Sequence, residues 1–98
     1  MADGPARVRA HMWVRGRVQG VGFRMFVEAA AQRLGLTGWV RNVGHDVVEA
    51  VAEGQRANVE RFVEQMKDGP RGAQVEDVRV EWEDVTGEFS EFGVGRSA

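Results

Sequence analysis

The chain has 98 residues, 43% of them hydrophobic and 29% charged, with a net charge of −2. Such a length supports one core, read as a single domain over 1–98 with its ordered part at about 7–95, and the composition excludes disordered, collagen-like and fibrous classes. Cysteine is absent, which rules out disulfide scaffolds, thiolate metal sites and thiol nucleophiles; with no leader or long apolar run, the expectation is a cytoplasmic protein without nucleic-acid or membrane partners.

From Arg7 to Arg15 the residues alternate, with Val8, Ala10, Met12 and Val14 on one side and Arg7, Arg9, His11 and Arg15 on the other. That period of 2 predicts a half-buried strand. The run Arg17-Val18-Gln19-Gly20-Val21-Gly22-Phe23-Arg24 follows. Its glycines let the backbone turn so that successive N–H groups face one concavity, and the start of a helix adds partial positive charge. Arg24 contributes a permanent charge and a planar fork of donors matched to two phosphate oxygens, so the run predicts an anion site.

Phe23, Phe26, Val27, Ala30, Ala31 and Leu34 then recur at intervals of three and four, the stripe of a helix that Gly35 closes. Leu36 to Arg41 and Val47 to Ala52 read as a hairpin joined through 42–46. A second helix is predicted from about Asn58, as N-cap, with Val59, Phe62, Val63 and Met66 buried and Asp68-Gly69-Pro70 ending it. Val75, Val78, Val80 and Trp82 suggest a fourth strand, and Phe92-Gly93-Val94 a short fifth. The order βαββαβ plus a terminal strand implies an α+β split βαβ sandwich, with an antiparallel sheet, two helices on one face and the other face open. Asp3-Gly4-Pro5 and residues 95–98 read as unpinned ends, and the acidic cluster Glu81, Glu83, Asp84, Glu88 and Glu91 as solvated strand ends that discourage edge pairing.

Each residue so far has a plainer reading beside the functional one. Arg24 stands four residues before Glu28, the spacing of a helix-surface ion pair. Gly20 and Gly22 alone fit a tight strand-to-helix turn, and the run lacks the spacing and ending of a nucleotide P-loop. Asn42 by itself is a turn residue, and His45 beside Asp46 is a solvated turn without a third metal ligand nearby. His11 reads as a surface strand residue, and Trp13 and Trp39 as covering the sheet.

Taken together, Gly16-Arg17-Val18-Gln19-Gly20-Val21-Gly22-Phe23-Arg24 and Gly35-Leu36-Thr37-Gly38-Trp39-Val40-Arg41-Asn42, at their spacing, resemble the acylphosphatase family. The similarity continues through Val48-Glu49-Ala50, Glu53-Gly54, Gly69-Pro70, Ala73, Val75 and Phe92, nearly the whole chain. The resemblance implies a ferredoxin-like sandwich that hydrolyses the carboxyl-phosphate bond of acyl phosphates as a monomer, releasing inorganic phosphate. It places the phosphate-binding arginine at Arg24, the water-positioning asparagine at Asn42, and the backbone cradle at Gln19, Gly20, Val21, Gly22, Phe23 and Arg24. No cofactor or metal is implied. The chain departs from the family pattern at His45-Asp46, where an Asp-Gly turn is usual, so the turn needs another geometry or a non-glycine residue at positive φ. It also lacks a C-terminal aromatic residue.

Two other classes share these features. RNA-recognition domains have the same element order and a glycine-aromatic motif, but theirs lies on the third strand, and Val47 to Ala52 holds no aromatic residue. A non-catalytic phosphate-binding unit on the same fold is the other, and turnover of excess acyl phosphate distinguishes it.

Overall fold

The computed structural model describes residues 6–95. Its elements are β1 (Arg7–Arg17), α1 (Phe23–Arg33), β2 (Thr37–Val43), β3 (Val47–Gln55), α2 (Arg56–Asp68), β4 (Gln74–Glu83) and β5 (Phe92–Val94). The strands form one sheet in the order β4-β1-β3-β2-β5. The central strands β1 and β3 turn Ala10, Met12, Val14, Val48, Ala50 and Ala52 inward, all fully buried. Onto them α1 packs Phe23, Val27, Ala30 and Ala31, and α2 packs Val59, Phe62, Val63 and Met66. These are the stripes expected from intervals of three and four.

No second layer covers the other face among the described residues; side chains close it instead. Val51 is fully buried there, and so nearly are Glu49 and Glu53, each directly opposite a cation across the sheet. Glu49 accepts from Arg41 Nε at 2.8 Å and lies 2.6 Å from His11 Nε2. Glu53 accepts from Arg9 at 3.0 Å, from the Thr86 N–H and hydroxyl at 3.0 and 2.9 Å, and from the Gly87 N–H at 3.0 Å. His11 stacks on Trp13 at 3.9 Å, while Arg41 and Arg79 lie over Trp39 and Trp13. The acidic cluster therefore divides. Glu83 and Glu88 converge on Arg9, Glu81 pairs with Arg79, and Asp84 and Glu91 remain exposed.

Several expectations are corrected. The sheet is mixed rather than antiparallel, because β5 runs parallel to β2. Residues 84–91 carry the chain from one border of the sheet to the other and are tied midway to Glu53 of central β3. Eight residues span the width of the sheet but not its height as well. β5 thus starts at the end of the sheet where β4 finished, which is where β2 also starts. Helix α2 begins at Arg56 directly after β3, with Gln55 as N-cap, so Asn58 lies inside the first turn. The Ala6 carbonyl takes the Arg56 N–H at 2.9 Å, a tertiary contact that replaces a side-chain cap. Gly95, read as part of a loose end, donates its N–H to the Val40 carbonyl at 2.7 Å; residues 1–5 and 96–98 lie outside the described residues.

Candidate active site

The site begins where β1 leaves the sheet. Pairing between β1 and β4 shifts register between Arg15 and Gly16, a bulge that turns the strand out of its plane. A Cβ on Gly16 would collide with the Gln74 carbonyl, so only glycine permits that close approach. Val18, 1% exposed, then anchors the chain in the core before the loop proper.

Gly20 and Gly22 adopt φ of 75° and 77°. A side chain at either would meet nothing within 4 Å, so backbone conformation rather than space requires glycine. Gly22 is also the N-cap of α1. It has no side chain to cap the helix, and the first turn holds no acidic residue. The first helical hydrogen bond runs from Phe26 N–H to the Gly22 carbonyl at 3.0 Å. The N–H groups of Gly20 to Met25 consequently have no protein acceptor among the described residues. Unpaired donors at a positive helix end form a place for an anion.

Opposite stands Asn42. Alternation along β2 puts Gly38, Val40 and Asn42 on the helix-covered face and Trp39 and Arg41 on the other. Asn42 Oδ1 is buried and no donor among the described residues reaches it. A shielded acceptor without a donor costs about 1–3 kcal/mol, which a hydrogen-bonding ligand or water recovers.

One pocket of about 150 Å³ joins these parts, lined by Val18, Gln19, Gly20, Gly22, Phe23, Arg24, Met25 and Asn42. Of the residues expected from sequence, Val21 alone is outside the lining; it packs partly buried against the core. Phe23 is 1% exposed and its ring belongs to the core. Arg24 makes no ion pair with Glu28 and no side-chain hydrogen bond among the described residues, which leaves its donors for a ligand. A larger depression of about 670 Å³ at the far end of β1, lined by Arg7, Arg56, Trp82 and Glu83 among others, contains none of the expected residues.

What sequence reasoning missed is the side chain of Gln19. Its Nε2 lies 3.3, 3.2 and 2.9 Å from the carbonyls of Val43, Gly44 and Val47. A second tie, Gly16 N–H to the Asp46 carbonyl at 2.9 Å, joins the same two segments. The loop and the β2–β3 turn that follows Asn42 are thereby held as one unit. The turn itself settles the departure at His45-Asp46. Gly44 takes φ of 60° and, among the described residues, no non-glycine residue has positive φ. Carbonyl acceptors leave no mark in a sequence; the one available signal was a polar side chain amid the small and apolar residues of the loop.

Among known proteins, the acylphosphatase family profile matches residues 10–94. An acylphosphatase of Pyrobaculum islandicum is 49% identical over 88 residues, 89% of this chain and 93% of that protein. The crystal structure of acylphosphatase from Bacillus subtilis superposes with a TM-score of 0.86 at 36% identity, covering 90% of this chain and 98% of that one. The acylphosphatase structure from Coxiella burnetii gives 0.85 at 40% identity, covering 91% and 93%. Sequence and fold agree over nearly the whole length, and the chain belongs to the acylphosphatase family.

Proposed function

We propose that the chain hydrolyses the carboxyl-phosphate bond of acyl phosphates in the pocket between the 19–24 loop and Asn42. The observation that carries this reading is the convergence, in one pocket, of an uncapped helix start, the unpaired Arg24 and the undonated Asn42 oxygen. The free N–H groups and the Arg24 fork hold the phosphoryl oxygens and offset their charge. Asn42 orients a water in line with the bond to the leaving oxygen, accepting from it through Oδ1. The water oxygen bonds to phosphorus as the bond to the acyl oxygen breaks. The carboxylate departs with the electron pair, and the water proton passes to the phosphoryl group. A carboxylate of pKa about 4 leaves without protonation, so no general acid is needed. In a loose transition state attack is weak, so positioning does the work of a base and neither cofactor nor metal is required.

Activity as a cytoplasmic monomer is part of the same proposal; the chain has no cysteine and so no disulfide that an oxidising compartment would have to form. No helix among the described residues is long and apolar enough to cross a membrane. The test is hydrolysis of benzoyl phosphate by purified protein in EDTA, with release of stoichiometric inorganic phosphate. Many turnovers per chain are expected. Folded protein that binds phosphate without turnover would overturn the enzymatic reading.

A further inference from the structure

Met25, in the first turn of α1, is 74% exposed, the most open of the large hydrophobic side chains among the described residues. A single exposed methionine on a surface needs no special cause. This one also lines the phosphate pocket. The pocket's other apolar residues, Val18 and Phe23, are each 1% exposed and belong to the core. Met25 is therefore the one apolar side chain of the lining that a molecule arriving from solution can touch.

In an acyl phosphate the reacting phosphoryl is joined to the acyl group through one oxygen. With the phosphoryl against the N–H groups and Arg24, the acyl group must lie at the rim. The other side chains lining the pocket there are Gln19, Arg24 and Asn42, all polar. Gln19 is engaged by the carbonyls of Val43, Gly44 and Val47. A thioether on a flexible stem adapts to varied apolar shapes and makes favourable contacts with aromatic rings. We propose that Met25 receives the acyl group, so that the site favours acyl phosphates with apolar, above all aromatic, acyl groups over those with small ones. This inference rests on the pocket reading given above.

The test compares kcat/KM for benzoyl phosphate and acetyl phosphate in wild-type protein, Met25→Ser and Met25→Leu, with thermal melts of all three. Met25→Ser is expected to lower the benzoyl-to-acetyl ratio about 3- to 10-fold, mainly through KM for benzoyl phosphate. Met25→Leu restores the ratio to within about twofold of wild type. If Met25→Ser leaves the ratio unchanged, or lowers both substrates equally, the role of Met25 is overturned while the pocket reading stands. If folded wild-type protein turns over neither substrate, both readings fall.

Discussion

Arg24 is the one charged side chain lining the pocket between the 19–24 loop and Asn42, so Arg24→Gln removes its permanent charge along with its fork. A loss of about 10³-fold or more in kcat/KM is expected, together with loss of competitive inhibition by inorganic phosphate. Asn42→Ala should separate the two roles. On the proposed roles it leaves the anion site intact and removes the group that orients water, so kcat should fall about 10²- to 10³-fold while the inhibition constant of inorganic phosphate stays within about threefold. Steady-state kinetics with phosphate as inhibitor checks both. That Arg24 and Asn42 line one pocket was expected from the sequence because each sits in a dense local motif, a glycine-rich turn before a helix and the end of a glycine-led strand. Gln19 was legible only as part of a loop. Its side-chain partners come from residues 24 to 28 positions away and are carbonyls, which every residue has.

Between elements, Gln19 ties the loop after β1 to the turn between β2 and β3. Gln19→Ala removes contacts to three carbonyls, of Val43 at the end of the strand that carries Asn42, of Gly44 in the turn and of Val47 at the start of β3. Expected is a fall in kcat of about tenfold with KM changed less than about threefold, since the unpaired N–H groups of 20–25 remain. The accompanying loss of about 1 kcal/mol would lower Tm by about 4–8 °C in a melt. Gly38→Ala acts on a different seam. Gly38 has φ of 141° and its Cβ would fall on the Val51 carbonyl of β3, so β2 must shift away from β3. A loss of about 2–4 kcal/mol in denaturant unfolding is expected. Element types and core stripes followed from periodicity, because burial on one face repeats at 2 or 3.6 residues. Boundaries did not. Strand β2 continues through Asn42 to Val43, and β3 through Glu53, Gly54 and Gln55; all of these but Val43 are polar or glycine positions that the ladder holds extended regardless of propensity.

Across the whole molecule, the face without helices is held by buried carboxylates, and this sets the acid limit of the fold. Burial pushes the Glu53 carboxyl up, but the Thr86 N–H, Arg9, the Gly87 N–H and the Thr86 hydroxyl together hold it below the ordinary glutamate range. Glu49 is likewise raised by burial and lowered further by His11 and Arg41. A carboxyl depressed in the folded state contributes stability above its unfolded pKa, and that contribution is lost as pH falls through the folded one. Tm should therefore hold on the acid side down to about pH 4 and fall steeply below it. Glu53→Gln should lower stability at pH 7 by about 1–3 kcal/mol and flatten that acid limb, as melts from pH 7 to pH 3 would register. Sulfur is distributed just as unevenly. The chain has no cysteine, Met12 and Met66 are 0% exposed, and Met25 is 74% exposed. Mild peroxide should thus convert Met25 to its sulfoxide while sparing those two, which peptide mass mapping would read. Oxidative damage would then reach this protein as a polar mouth on an intact fold, altering what the pocket accepts before it alters whether the chain is folded.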